Sequence, residues 1–426
     1  MSSEIRNANH PTPVQAETIN IPRMPQDIND EILNHLVTDS DLRSIRSCAL
    51  ISKSWVQSCR RHLFHTVDLT LKEVDRWFKA FPVPEESPAH HVKDLRVQIG
   101  GRGHVPDEFF EYIPWFTDVE RISLVGHMGL PSSLRPSLWD PPQSITSLTL
   151  NTSVVTLVQI RDIMAPLSNL DDLTLIGSLV PVDRGELPGI GTVVRGRFSG
   201  KLKLCGDFVG VDVVNMLLEI PSGPRFTEVL THSTCECLPS AVRLAEACCE
   251  TIVKLTHSPS CQCESQPFPQ SNEISALTPF SDVDVCEAFE QSFDLSKFPN
   301  LQEFKCVFRV GRAGGRLPWI HLALATLRPA TSPRLSTIRL DFAGPPVIAG
   351  FVETLIANTG SDLRRIADEV SRIKREFKGT VDVNVVRDSL FGAALDVLNV
   401  SFRSWGGRDL VVISIHLSST PGPSGR

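Results

Sequence analysis

No apolar run in the sequence approaches the ~18 residues that a helix needs to cross a bilayer, which excludes a helical membrane span. Residues 1–20 are polar and hold no apolar centre of the kind a secretory signal carries, so they are expected to form a disordered tail. Neither sign of charge dominates. The 42 Lys and Arg face 49 Asp and Glu, a net charge of -7 spread along the chain, and that excludes the basic face a nucleic-acid partner needs. Catalytic signatures are missing too: there is no Gly-x-Ser-x-Gly and no His-Glu-x-x-His. The glycine-rich stretches 185–196 and 311–315 lack the Lys-Ser/Thr ending and the strand-loop-helix setting of a phosphate cradle, and read as loops. Neither an enzymatic activity nor a cofactor is expected. Eleven cysteines, an odd number without an export signal, are expected as reduced thiols of the cytosol or nucleus.

What the sequence does contain is a repeat, and 426 residues with 41% hydrophobic content give it material for a sizeable core. His65–Leu71 alternates apolar and polar residues as a strand does. A pattern of one apolar residue, two of any kind, and then alternating apolar residues follows. It recurs around Leu95, Ile122, Leu148, Leu173, Leu202, Val229 and Leu255, at steps of 27, 26, 25, 29, 27 and 26 residues. Further copies sit around Phe304 and Ile338. Helices are expected between strands over 107–115, 154–165, 211–219, 240–249, 283–293, 319–327 and 347–358. A strand and helix repeated in register can bury their apolar faces only by stacking on the next copy. The expected fold is therefore α+α/β: an N-terminal helical domain (21–64), then a curved α/β solenoid (65–360) with parallel strands on its concave face. A Ser-, Pro- and Gln-rich stretch at 258–280 reads as a flexible insertion and 361–417 as a C-terminal cap made of a charged helix (361–378) and strands at 381–386, 395–402 and 410–417. Residues 418–426 read as a loose tail.

The N-terminal domain reads as three short amphipathic helices. Ile28, Ile32 and Leu36 lie on one face of the first, which starts at Pro25. Leu42, Ile45, Cys48 and Ala49 face inward on the second, with Ser40 as its N-cap, and Trp55, Cys59 and Leu63 share a face of the third. About forty residues hold such a core weakly, so apolar surface on Pro25, Ile28, Leu42 and Leu50 is expected to stay uncovered.

The order Met24-Pro25, Ile28, Ile32, Leu36, Asp41-Leu42, Cys48-Ala49-Leu50-Ile51-Ser52-Lys53-Ser54-Trp55 and Arg61-His62-Leu63-Phe64 resembles the F-box of fungal F-box proteins, with Met24 where the family more often has leucine. The resemblance implies docking to a Skp-type adaptor, and through it to a cullin, by Met24, Pro25, Ile28, Ile32, Leu36, Leu42, Leu50 and Trp55. The array that follows resembles the irregular leucine-rich repeats that many F-box proteins carry, although Gly126, Gly177 and Gly206 stand near where the regular motif has asparagine. On that reading the chain is a substrate receptor of an SCF-type ubiquitin ligase. The target, a protein of unknown identity, would sit against outward strand residues such as Arg96, Arg121, Asp172, Lys201, Lys203, Glu303, Lys305 and Arg339. Two rivals remain at this point. One is a leucine-rich-repeat interaction scaffold with no link to ubiquitin. The other is a metal sensor, because Leu230-Thr231-His232 leading to Cys235 and Cys237 is echoed by Leu255-Thr256-His257 leading to Cys261 and Cys263; copies aligned that way on adjacent strands would bring two imidazoles and four sulfurs together.

Overall fold

A computed structural model describes residues 25–39, 41–99, 107–126, 140–180, 194, 196–234, 237–260, 293–309, 318–343, 351–378 and 380–387. The chain divides into two compact units, Met1–His65 and Thr66–Arg426.

In the first unit the helices are α1 (Gln26–Thr38), α2 (Leu42–Cys48) and α3 (Lys53–Leu63). Their shared core is Leu33, Ile45, Trp55 and Cys59, with Leu36, Cys48, Ala49 and Leu63 packed against it. The stripe that α1 turns inward is thus Asn29, Leu33 and Leu36, offset by one residue from the stripe expected from Ile28, Ile32 and Leu36. Gln26 Nε2 donates to Ser58 Oγ at 2.6 Å and to Asp30 Oδ1 at 2.9 Å, which ties the start of α1 to α3. The N-cap of α2 is Asp41, whose carboxylate accepts from the Ser44 amide at 3.0 Å; Ser40 lies outside the described residues.

The second unit is an eleven-stranded sheet in which every neighbouring pair is parallel and strand order equals chain order. The strands are β1 (Thr66–Thr70), β2 (Asp94–Ile99), β3 (Arg121–Gly126), β4 (Ser147–Val155), β5 (Asn169–Leu179), β6 (Arg197–Gly206), β7 (Arg225–Thr234), β8 (Lys254–Ser260), β9 (Glu303–Arg309), β10 (Thr337–Ala343) and β11 (Asp382–Arg387). Between them run α4 (Leu71–Ala80), α5 (Asp107–Tyr112), α6 (Leu157–Met164), α7 (Val211–Leu218), α8 (Leu238–Ala247), α9 (Pro318–Ala325) and α10 (Phe351–Glu376). This is an N-terminal helical region followed by an α/β solenoid-like array. No helix among the described residues is long and apolar enough to cross a membrane.

The repeat spacing translates directly into register. Leu95, Ile122, Leu148, Leu173, Leu202, Val229, Leu255, Phe304 and Ile338 pair one with the next from β2 to β10, and all are buried. Because Leu255 pairs with Phe304, the long interval between them inserts no strand between β8 and β9; the expected helix over 283–293 lies almost wholly outside the described residues. Three glycines share one row with a threonine, since Gly126, Thr152, Gly177 and Gly206 are register partners in turn. Gly177 has φ +138 and a Cβ there would overlap the carbonyl oxygen of Thr152, so close backbone approach excludes a side chain at residue 177.

Three element expectations need correction. Helix α4 went unpredicted, yet Thr70-Leu71-Lys72-Glu73 is a capping box, with the Glu73 carboxylate accepting from the Thr70 amide at 2.8 Å; Leu71 opens this helix and does not extend the strand. Helix 154–165 starts only at Leu157, after its Thr156 cap, and Val155 completes β4. The helices expected at 347–358 and 361–378 are one, α10, because Thr359-Gly360 does not break it. The strand expected at 381–386 is β11, which joins β10 in parallel, so within the expected cap 361–417 a helix and a strand extend the array through residue 387. The strands expected at 395–402 and 410–417 lie outside the described residues.

Helix α10 also closes α9. Arg372 donates to the carbonyl oxygens of Leu324 (2.9 Å), in the last turn of α9, and Leu327 (3.1 Å), just past its end, while Glu369 and Glu376 hold the guanidinium in place.

Candidate functional site

Two surfaces concentrate the residues singled out from the sequence. On the helical unit, Ile28 is 43% exposed, Leu42 50% and Leu50 88%, and Ile32 and Pro25 are exposed as well. Leu36 and Trp55 do not belong to this surface. Trp55 is enclosed in the core and Leu36 packs against it, so both support the bundle from within. Met24 lies outside the described residues.

Sequence reasoning missed Ile51, 66% exposed beside Leu50 in the turn between α2 and α3. The signal was present: two aliphatic residues, Leu50 and Ile51, stand immediately before the Ser52 that begins α3, where a turn ordinarily carries polar residues. Burial drives the Cys59 thiol up to about 11, with Cys48 nearby adding to the shift, so the core cysteine stays a neutral packing group.

The second surface is the face of the sheet opposite the buried ladder, where register arranges the outward residues in rows. One row runs Thr66, Asp94, Arg121, Ser147, Asp172, Lys201, Glu228, Lys254, Glu303, Thr337, Asp382. From Asp172 to Glu303 its charges alternate strand by strand. Glu228 is reached from both sides, by Lys201 at 3.8 Å and Lys254 at 3.4 Å. Asp94 is buried beneath Arg96 (3.1 Å) and Arg121 (3.5 Å), and that carboxylate raises the Arg96 guanidinium above its ordinary pKa.

Two residues further along each strand lies a second row: Asp68, Arg96, Ser123, Thr149, Thr174, Lys203, Leu230, Thr256, Lys305, Arg339, Asn384. Lys305 and Arg339 converge on one carboxylate, that of Asp341, at 3.0 and 2.7 Å. The eight residues expected to meet a target therefore fall in two lines. Arg121, Asp172, Lys201 and Glu303 occupy the first row, and Arg96, Lys203, Lys305 and Arg339 the second.

Register separates the two imidazoles of the metal reading. Thr231 pairs with His257, and His232 with Ser258. The two copies are therefore aligned one residue away from the echo seen in sequence, and a one-residue offset sends side chains to opposite faces. His257 points inward and is fully buried, while His232 lies on the outward side with its Nδ1 2.9 Å from Ser258 Oγ. Two imidazoles on opposite faces cannot share an ion. Cys235, Cys261 and Cys263 lie outside the described residues, and no group of three metal-ligating side chains occurs among those described.

His257 instead interrupts the inner apolar ladder. The positions Leu69, Val97, Leu124, Leu150, Leu175 and Leu204 are continued by Thr231, His257 and Cys306 before Leu340. Thr231 Oγ1 lies 2.7 Å from His257 Nδ1, and the imidazole meets Phe293 and Trp319 edge-on at 5.2 and 5.1 Å between ring centroids. Burial, with His232 nearby as a lesser cause, lowers the His257 pKa to about 3, so the ring is neutral at physiological pH. Burial also pushes the Cys306 thiol well above its ordinary value. A neutral imidazole and a protonated thiol, both closed off from solvent, serve packing.

Comparison with known proteins adds no assignment: no family model matches the sequence, and no curated protein matches it significantly.

Proposed function

We propose that this chain is a substrate receptor: its helical unit docks on a Skp-type adaptor of an SCF-type ubiquitin ligase, and the outward face of its sheet holds the protein to be modified. One observation carries the reading. The helical unit closes a core of its own around Leu33, Ile45, Trp55 and Cys59 and still exposes Ile28, Leu42, Leu50 and Ile51. Small units that leave several large aliphatic side chains in water do so where another surface covers them. The F-box resemblance supplies the kind of partner. In this role the chain breaks and forms no bonds; it holds the target beside a transfer machine and makes an encounter local.

The test is co-purification of the full chain with a Skp-type adaptor. Ile28→Asp combined with Leu50→Asp should abolish capture, since docking would bury two unpaired charges. Because both side chains are exposed, the variant should keep the parent's circular dichroism and melting temperature. Undiminished capture by the folded variant refutes the docking role and leaves a repeat scaffold with no link to ubiquitin.

A further inference from the structure

Taken together the two rows are nearly balanced, with seven basic residues and six acidic ones, but each row by itself is polarised. The first row carries five acidic residues and three basic ones. The second carries four basic residues, Arg96, Lys203, Lys305 and Arg339, and one acidic residue, Asp68, at its far end, already taken by Gln98 at 3.0 Å. Between the cations of the second row stand hydroxyls: Ser123, Thr149, Thr174 and Thr256.

The pairing pattern sharpens the asymmetry. Asp94 and Asp341 each sit between two cations, so each cluster keeps a surplus positive charge. Lys203 lies between Thr174 and Leu230 in register, and no carboxylate among the described residues lies within ion-pair distance of it. Asp172 and Glu303 of the first row likewise have no ion-pair partner among the described residues.

From this charge pattern we infer that the target is recognised through an extended acidic peptide segment lying across the strands along the second row, with carboxylates at Lys203 and at the Lys305–Arg339 pair. The inference rests on reading this face as the target-holding surface and names what that surface selects. Three strand spacings separate Lys203 from Lys305, ~14 Å, which about four residues of extended peptide span. Of the two residues between them, Leu230 and Thr256, the Thr256 hydroxyl can donate to the peptide backbone. Asp172 and Glu303 repel an acidic segment from the neighbouring row and so fix its line. A polyanion as wide as nucleic acid could not avoid those acids, which is why a peptide is the better fit.

The experiment is selection of a random 12-residue display library on the purified full chain, followed by fluorescence anisotropy with the enriched sequences. Enriched peptides should be acidic, with acids recurring about four residues apart. Replacing their Asp and Glu by Asn and Gln should abolish binding. Lys203→Gln with Lys305→Gln should weaken it about ten-fold or more, while Glu303→Gln should strengthen it about two-fold. Enrichment of neutral or basic peptides, absence of enrichment, an affinity unchanged in the double variant, or tighter binding of single-stranded RNA than of the selected peptides would each overturn the inference. Adaptor capture is measured on the same proteins. Loss of acidic selectivity with capture intact removes this inference alone, and loss of capture with selectivity intact removes the docking role alone.

Discussion

The buried Thr231–His257 pair gives the sharpest test of how this fold is held together. In the folded chain His257 takes up a proton only near pH 3, whereas in the unfolded chain it does so near 6.5. Between those values the unfolded state binds more protons, so stability must fall as pH falls. One pKa unit corresponds to about 1.4 kcal/mol, so lowering the pH from 7.5 to 5 should cost roughly 2 kcal/mol through this residue alone, and the full loss near pH 3 should approach 4–5 kcal/mol. Other groups titrate over the same range, and the informative quantity is therefore a difference. Thr231→Val with His257→Leu restores the aliphatic residues found at the equivalent rungs, removing both hydrogen-bond partners together. Such paired replacement should be nearly neutral at pH 7.5. His257→Leu alone should cost about 1–3 kcal/mol, because the Thr231 hydroxyl, 1% exposed, loses its partner. Urea unfolding followed by circular dichroism at pH 7.5 and pH 5 reads all of this. If the double variant loses as much stability on acidification as the parent, His257 is not held neutral by burial and the reasoning is wrong.

Other perturbations follow from particular contacts. Gly177→Ala should destabilise the array by about 3 kcal/mol or more, visible as a lowered melting temperature, because the backbone there has φ +138 and meets Thr152. Arg372→Ala should cost about 1 kcal/mol by removing one of the two donors to each of the Leu324 and Leu327 carbonyls, which keep the Leu327 amide and the Arg328 guanidinium respectively; Arg372→Lys should recover less than half, since an ammonium cannot reproduce the planar fork. In the helical unit, Trp55→Ala should cost about 3–5 kcal/mol and abolish adaptor capture by melting the bundle, whereas Leu50→Ala should change stability by less than about 0.5 kcal/mol. The amide of Asn29 is fully buried with neither polar atom hydrogen-bonded to a group among the described residues, so Asn29→Leu should raise stability by about 1–3 kcal/mol in denaturant unfolding.

The sheet was legible because its signal is redundant: eleven strands repeat one apolar pattern, and a parallel stack turns equal spacing into equal register. The same redundancy hid the histidines. The histidine echo makes Leu230 and Leu255 look equivalent, whereas the repeat spacing aligns Val229 with Leu255, and the register follows the repeat. In the helical unit the difficulty was the opposite. Apolar residues lie on more than one side of α1, so a four-residue step fits Ile28 and Ile32 as well as Leu33, and the bundle selects the inward stripe by packing against Ile45 and Trp55. Helix α4 was missed because its first residue, Leu71, continues the alternation of β1, although its capping box is written in four consecutive letters. The opposing charges of the sheet face could be named from alternation. Their division into rows needs the pairing of each strand with the next.

The alternation running from Asp172 through Lys201, Glu228 and Lys254 to Glu303 imposes a parity rule on how such an array can lengthen or shorten. Excising the β7 unit would set Lys201 beside Lys254, like charges directly opposed, whereas excising β7 and β8 together would return Lys201 to an acidic neighbour, Glu303. A chain built in this way tolerates the gain or loss of units by twos more readily than by ones, and comparing the stabilities of one-unit and two-unit deletions would reveal that preference.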